Sequence, residues 1–354
     1  MALNDPAPRA LRIELALEAG LSLPASGTIA VFHPRAGEWL GPLPAAQVQV
    51  ITPHAPDQAA FSAAGLACEV AAKGRFEAAL VCLPRSRAEA RDLIAQAAAL
   101  TDGPVIVDGQ KTDGIDAMLR DLRGRVVMSE PLAKGHGKIA WFASPGAALA
   151  DWRASPGRCE GDGRSWQTLP GLFSADGIDP ASALLAEALP AGLKGIAADL
   201  GAGWGYLSAR LLAKAPGLAA LHLVESDARA LDCARANVTD PRAVFHWADA
   251  TRPLSRLLVD VVVMNPPFHQ GRDARPQLGA AFIAAAAAML KPSGQVFLVA
   301  NRHLPYEAAL ATAFRKVSEL PGSPGFKIVH AEGPIRAVKP AAGAARVGSK
   351  GGRR

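Results

Sequence analysis

The sequence predicts an α/β protein made of two doubly wound domains in tandem, the first a degenerate copy of the second. Three observations carry that expectation. The chain has 354 residues, more than one ordinary domain needs. From about residue 25, short apolar runs rich in β-branched residues alternate with helical segments, the pattern of parallel α/β architecture. The order and flavour of those segments then repeat in the second half.

Taken in order, the first half offers the strands TIAVF, VQVIT, AALVCL, PVIVD and KIAWF. The second offers GIAADL, ALHLVE, DVVVMN, QVFLVA and FKIVHA. SGTIAVFHPRAGEW lies beside KGIAADLGAGWGY, QVQVITPHAPDQAAFSAAG beside ALHLVESDARALDCARAN, and FEAALVCLPRSR beside VDVVVMNPPFHQ. The unusual residues occur in one copy only. Where the second half reads Asp-Leu-Gly-Ala-Gly-Trp-Gly, the first reads Phe32-His33-Pro34-Arg35-Ala36-Gly37-Glu38. Where the second has Asn265-Pro266-Pro267-Phe268, the first has Leu83-Pro84-Arg85-Ser86. The expected division is therefore 1–165 as a platform, 166–335 as the unit with the chemistry, and 336–354 as a disordered tail. The join falls near the polar, Gly-rich stretch 151–167.

Composition narrows the function class. Half the residues are hydrophobic, enough for sizeable cores, although much of that half is alanine. AAFIAAAAAML at 280–290 is too short to span a bilayer and reads as a core-facing helix, so no membrane role is expected. MALNDPAPRA has no apolar signal core. Cys68, Cys82, Cys159 and Cys233 form no C-x-x-C pair, which points to a reducing cytoplasm and no structural metal. The net charge is +6, and the six Lys and Arg from Arg336 onward account for all of it: without them 32 bases face 32 acids. Such a tail either solubilises the chain or holds a polyanion such as RNA by counterion release.

GIAADLGAGWGYLSARLLAK places Asp199, Gly201, Gly203 and Gly205 between an apolar strand and a helix, the Rossmann-like position for a close backbone approach to a nucleotide. The next strand, ALHLVE, ends in Glu225, a candidate acceptor for both ribose hydroxyls of an adenosine. AVFHWAD, read as a strand, ends in Asp249, a candidate acceptor for an adenine amino group. A solvated strand end and a helix cap are the plain alternatives for the two acids. No G-x-x-x-x-G-K-[ST] is present, which argues against a phosphate-cradling loop. A dinucleotide site is the competing reading of the same turn, and bulky Trp204 and Tyr206 fit a pyrophosphate less well.

VVVMNPPFHQG raises a separate question, because two prolines at the end of a buried strand serve no ladder. The segment suits methyl transfer to a planar nitrogen, whose lone pair is delocalised until acceptors hold its hydrogens. The side-chain oxygen of Asn265 is one acceptor, and the carbonyl of Pro266 is the other, its direction fixed by the prolines, Pro267 included. Phe268 offers a face on which a flipped base stacks. Positioning and aimed dipoles then carry the acceleration, in line with the sulfur of a sulfonium donor.

DLGAGWG, LVESD and NPPFHQG together resemble the S-adenosyl-L-methionine-dependent class I methyltransferases that modify amino nitrogens. With LPGLFSADGIDPASALL at 169–185, VANRHLPYEAAL and GFKIVHA, the fuller pattern resembles the two-domain bacterial guanine-N2 methyltransferases of ribosomal RNA, above all those acting on 16S rRNA of the small subunit. The resemblance implies Asp199, Gly201 and Gly203 on the methionine side of the donor, Glu225 at its ribose and Asp249 at its adenine. It implies Asn265 to Phe268 at the guanine amino group, Asn265 also facing the donor. It implies rRNA processing in the cytoplasm, ribosomal RNA or the small subunit as partner, and no metal; the sequence leaves the oligomeric state open, with a monomer as the expectation. The planar-nitrogen argument by itself leaves a protein glutamine amide or adenine N6 open as targets. An rRNA-binding assembly factor is the reading from another class, and the intact second-half motifs count against it. Nearby, Asp179 followed by Pro180 reads as a helix cap. Phe173 reads as a pocket residue and His269 as structural. Trp39, Trp141, Trp152 and Trp166 read as packing residues.

Overall fold

Strands buried on both faces need unbroken apolar runs, and the chain supplies them at the predicted places. The computed structural model describes residues 8–38, 40–267, 269–270, 273–274 and 276–336. The first sheet contains β1 (Ile29–Phe32), β2 (Val48–Ile51), β3 (Ala67–Glu69), β4 (Ala78–Cys82), β5 (Pro104–Gln110), β6 (Leu132–Lys134) and β7 (Gly137–Ala143). A hairpin of β8 (Gly157–Gly161) and β9 (Arg164–Thr168) follows. The second sheet contains β10 (Gly195–Leu200), β11 (Leu218–Glu225), β12 (Ala243–Trp247), β13 (Val259–Met264), β16 (Leu290–Asn301), β17 (Phe314–Leu320) and β18 (Phe326–Pro334). A two-residue ladder, β14 (His269–Gln270) with β15 (Asp273–Ala274), lies between β13 and β16.

The strand orders are β3-β2-β1-β4-β5-β7-β6 and β12-β11-β10-β13-β16-β18-β17, the same order position by position. This is the tandem doubly wound architecture the sequence predicts. Its sheets are mixed rather than wholly parallel. β7 runs antiparallel to β5 and β6, and β18 antiparallel to β16 and β17. Helices repeat as well. α1 (Pro8–Glu18) precedes β1 as α5 (Pro180–Ala188) precedes β10. α2 (Ala55–Ala63) follows β2 as α7 (Ala228–Asn237) follows β11. α3 (Arg87–Leu100) and α4 (Ile115–Arg123) match α8 (Pro276–Met289) and α9 (Glu307–Ala313). The exception is α6 (Tyr206–Lys214), which joins β10 to β11. Between β1 and β2 the described residues hold only a short 3₁₀ turn at Ala45–Gln47. The first copy thus lacks the helix whose N-terminus would face a nucleotide.

Alternating side chains fill both faces of each sheet, as the two-residue strand period requires. On one face of the second sheet Ala197, Val261 and Val263 join Leu207, Leu211 and Leu223, while Ala198, Leu200, Val262 and Met264 meet Ile283, Ala286 and Met289 of α8 on the other. The 280–290 segment is thus the core helix its composition implied. Trp152 and Trp166 are buried and Trp141 packs on the first core, whereas Trp39 lies outside the described residues.

Two readings need correction. The stretch taken as a polar join forms the β8–β9 hairpin. Asp162 and Gly163 both adopt positive φ, 51° and 73°, the tight two-residue turn that suits the twist of paired strands. Second, β12 stops at Trp247, so Asp249 lies two residues beyond the strand end. Among the described residues no helix is long and apolar enough to cross a membrane.

Candidate active site

β10 and β13 lie side by side and parallel, Leu200 opposite Met264, so the residues that follow each strand emerge at one edge of the sheet. From β10 the chain winds toward β11 and β12; from β13 it winds the other way toward β16. This reversal of strand order opens the crevice where doubly wound sheets bind ligands. A small, partly open cavity sits there. Asp199, Gly201, Gly203 and Asn265 all line it, together with Phe173, Asp179, Ser182 and Trp204. Residues from the two motifs, more than 60 positions apart, are thus neighbours.

The orientation of Asn265 is set by a partner that the sequence does not reveal. Its Nδ2 donates to Oδ2 of Asp179 at 2.8 Å and to Oγ of Ser182 at 2.9 Å. A carboxylate accepts only, so the amide nitrogen must face Asp179, and Oδ1 is the atom left for a ligand. Among the described residues nothing donates to that oxygen. Asp179 also caps α5, its Oδ2 accepting from the Ser182 N–H at 2.7 Å. The predicted cap is present, and it serves a second purpose. Pro266 is buried and Pro267 exposed. Phe268 and the side chain of His269 lie outside the described residues.

The glycine turn is built around two acids. Asp199 is 1% exposed and its Oδ2 accepts from Ser208 Oγ of α6 at 2.6 Å. Burial, reinforced by the charge of Glu225, pushes its pKa up to about 7. Glu225 is held by three donors: Gly203 N–H at 2.8 Å, Asp227 N–H at 2.9 Å and Ser226 Oγ at 3.2 Å. Burial raises its pKa too, against those hydrogen bonds. Gly205 enters α6 with φ 91°, and a Cβ there would stand 2.8 Å from Val238 on the α7 side, so only glycine lets α6 and α7 close. Trp204 and Tyr206 pack on Trp166 of β9, ring centroids 5.5 and 5.4 Å away. Trp204 also donates its Nε1–H to the carbonyl of Phe173 at 3.0 Å, fixing the segment before α5. Phe173 itself is 61% exposed at the cavity rim.

The cavity therefore offers a buried carboxylate that ionises only near neutrality, backbone from a glycine turn, and one aimed amide oxygen. Glu225 borders it through the Gly203 N–H rather than lining it. Asp249 is not among its lining residues: its Oδ1 accepts from the Thr251 N–H at 2.9 Å and from Thr251 Oγ1 at 2.5 Å, and Arg252 stands 3.5 Å from its Oδ2. Among the described residues no cluster of His, Cys, Asp or Glu suits a metal, and Cys68, Cys82, Cys159 and Cys233 are free thiols. Sequence reasoning missed Ser182, Ser208 and the second role of Asp179. The only signal for Ser182 was its place three residues after a cap.

Comparison with known proteins agrees with this construction. The Methyltransferase small domain family matches residues 164–330. A ribosomal RNA small subunit methyltransferase C from Idiomarina loihiensis is 28% identical over 321 residues, covering 87% of this chain and 94% of the relative. The protein of the same name from Pectobacterium atrosepticum is 30% identical over 257 residues, 70% of this chain and 72% of its own. Among solved structures, the 16S rRNA N2 G1207 methyltransferase of T. thermophilus, in complex with AdoMet and guanosine, superposes with a TM-score of 0.76 at 26% identity, covering 94% of this chain and 92% of that one. Similarity of that extent, over most of the chain, leads to one conclusion: the chain belongs to the ribosomal RNA small subunit methyltransferase C family.

Proposed function

We propose that this protein is an S-adenosylmethionine-dependent methyltransferase that methylates the exocyclic N2 of a guanine in 16S ribosomal RNA. The observation that carries the reading is the fixed amide of Asn265, whose oxygen is freed for an incoming amino group in a cavity shared with the glycine turn. Relatives named small subunit rRNA methyltransferases, matched over most of their length, and the structural neighbour named a 16S rRNA N2 G1207 methyltransferase support it. The site also fits the donor. A buried carboxylate with a raised pKa is costly unless a cation meets it, and the donor carries both a sulfonium and an ammonium.

When bound, the donor supplies an electrophilic methyl group. The chain's own residues do the rest. Asp199 and the Gly201–Gly203 backbone take the methionine side, Glu225 takes the ribose, and Asp249 meets the adenine edge after turning from Thr251. Oδ1 of Asn265 and the Pro266 carbonyl accept the two amino hydrogens of guanine, and Phe268 stacks on its ring. Holding both hydrogens would favour a more tetrahedral nitrogen with a free lone pair; as its bond to the methyl group formed, the sulfur–methyl bond would break, and the nitrogen's surplus proton would pass by way of these acceptors to water. Fixed acceptors do this without reorganisation during the reaction.

The first domain and the residues from 336 onward dock the RNA in this reading. A groove lined by Lys111, Lys134, His136 and Lys138 supports that role for the first domain. One acid in the groove, Asp116, is paired with Lys138 at 2.7 Å. The protein works as a cytoplasmic monomer without metal, and the join between units falls before the β8–β9 hairpin, whose Cys159 and Trp166 belong to the second core. The test is Asn265→Ala. Methyl transfer to small-subunit RNA should vanish while donor affinity stays within about two-fold, because positioning and not donor binding is removed. Full activity in that variant sinks the mechanism. Mass mapping of rRNA from cells lacking the gene should show one missing N2-methylguanine; a mark lost from a protein or an adenine instead would redirect the target.

A further inference from the structure

We propose that the first domain positions the donor-binding carboxylate: it grips the turn after β11 that presents Glu225, and Glu89 is its positioning residue. The inference rests on the reading that Glu225 meets the donor ribose.

The grip is reciprocal. Ala55 N–H donates to the Ser226 carbonyl at 2.8 Å, and Ala228 N–H donates to the Pro53 carbonyl at 2.9 Å. His54 and Asp227 form the antiparallel bridge between them. These two turns follow β2 and β11, which hold the same place in their sheets, so each copy binds the other through one equivalent corner. Trp247 closes the clasp, its Nε1–H shared between the Pro53 and Ser226 carbonyls at 2.8 Å each. Two of the three donors that hold Glu225, the Ser226 hydroxyl and the Asp227 N–H, belong to the gripped turn. The carboxylate cannot shift without that turn, and the turn cannot shift without the first domain.

Glu89 of α3 adds a side-chain link. It is 8% exposed and accepts from Arg229 at 2.7 Å, while Arg229 holds Asp227 through two nitrogens, at 2.6 and 3.1 Å. Glu89 also abuts the segment before α5: a Cβ on Gly171 would lie 2.3 Å from its Oε2. One residue of the first domain thus touches both stretches that border the cavity. His33, 3.4 Å away, is the other titratable neighbour.

The experiment uses the full chain and S-adenosylhomocysteine as calorimetric probe. Ala55→Pro deletes one N–H of the clasp at a helix start that tolerates proline, after a residue already extended at φ −95° and ψ 112°. Glu89→Gln removes the charge and turns one acceptor oxygen into an NH2 donor while keeping the other. Each should raise the dissociation constant of the probe about three- to ten-fold, with kcat at saturating donor and KM for RNA held within about two-fold. Glu89→Ala should exceed Glu89→Gln, which keeps an acceptor for Arg229. Unchanged probe affinity in Glu89→Gln and Glu89→Ala, or a fall in kcat alone, overturns the proposal, and these two variants decide it should Ala55→Pro fail to fold. Glu225→Ala reports separately on the reading beneath it: undiminished probe affinity there removes the ribose assignment, whatever the interface variants do.

Discussion

An amide can be flipped end for end at little cost in shape, so a site that depends on one of its two atoms needs something to choose between them. At Asn265 the choice falls to Asp179, 86 residues earlier in the chain. Asp179→Ala should therefore cost catalysis more than binding: kcat falling about 100-fold, the scale of losing one aimed dipole, with donor affinity nearly unchanged. The lost cap should add about 1 kcal/mol of destabilisation, readable as a lower melting temperature. Asp199 makes a second residue-level prediction. Its pKa of about 7 in the donor-free protein means that it is substantially protonated at and below neutrality. A cationic donor favours the ionised form, so binding at lower pH must release a proton. Donor affinity should fall about ten-fold per pH unit below 7 and level off above, and Asp199→Asn should flatten the profile. Stability of the donor-free protein runs the other way. A carboxyl whose pKa is raised by folding binds its proton more tightly folded than unfolded, so it stabilises at low pH. That contribution is lost as pH rises from about 4 through 7. Both motifs were legible as sequence. The orientation of the amide was not, since Asp179 and Ser182 read only as the start of a helix.

Elements were legible where burial writes a pattern. All ten strands read from apolar runs appear, because a strand covered on both faces has little choice of residue. The missed strands are those with weaker patterns. β3 (Ala-Cys-Glu) and β6 (Leu-Ala-Lys) are three residues long at or near sheet edges, and β17 (Phe-Arg-Lys-Val-Ser-Glu-Leu) presents charges to solvent, as edge strands do to avoid pairing with other chains. The β8–β9 hairpin was misread because its glycines and charges resemble a linker, although the Asp-Gly pair with an alternating Arg-Ser-Trp-Gln-Thr strand was the sign of a hairpin. That hairpin has a job at the site. Its Trp166, 1% exposed, forms the floor on which Trp204 and Tyr206 of the glycine turn rest. Trp166→Ala should cost about 3–5 kcal/mol, the range for deleting a buried aromatic ring. Donor affinity should drop with it, because Trp204 would lose the packing that fixes its bond to Phe173. Chemical denaturation and calorimetry on one sample measure both, and a large stability loss with donor affinity intact would show that the hairpin supports the fold without shaping the turn.

At the scale of the molecule, duplication explains why one copy could lose its chemistry and stay. The first sheet keeps the strand order but among the described residues has no α-helix after its first strand, and so no helix end that would face a nucleotide. What remains is a scaffold docked on the working copy through the turn after β2 and through Glu89 of α3, with exposed surface around Lys111 and Lys134. The repeat was visible in sequence; the docking corner was not, because it depends on two turns meeting that are more than 170 residues apart. The groove lined by Lys111, Lys134, His136 and Lys138 gives that open surface a testable part in RNA binding. Lysines on a phosphate backbone act through released counterions, so their effect appears in the salt dependence of affinity more clearly than in affinity at one salt concentration. The double variant Lys111→Glu with Lys134→Glu should bind small-subunit RNA more weakly and lower the slope of log K against log salt by about 2, while donor affinity is unaffected. Lys138 is left in place because its pairing with Asp116 would mix a structural effect into the result. An unchanged slope would move the RNA-docking role away from this groove, toward the rim of the catalytic cavity or the basic residues beyond Arg336. Stepwise titration with the two lysines replaced singly distinguishes these outcomes, since each true phosphate contact removes about one unit of slope.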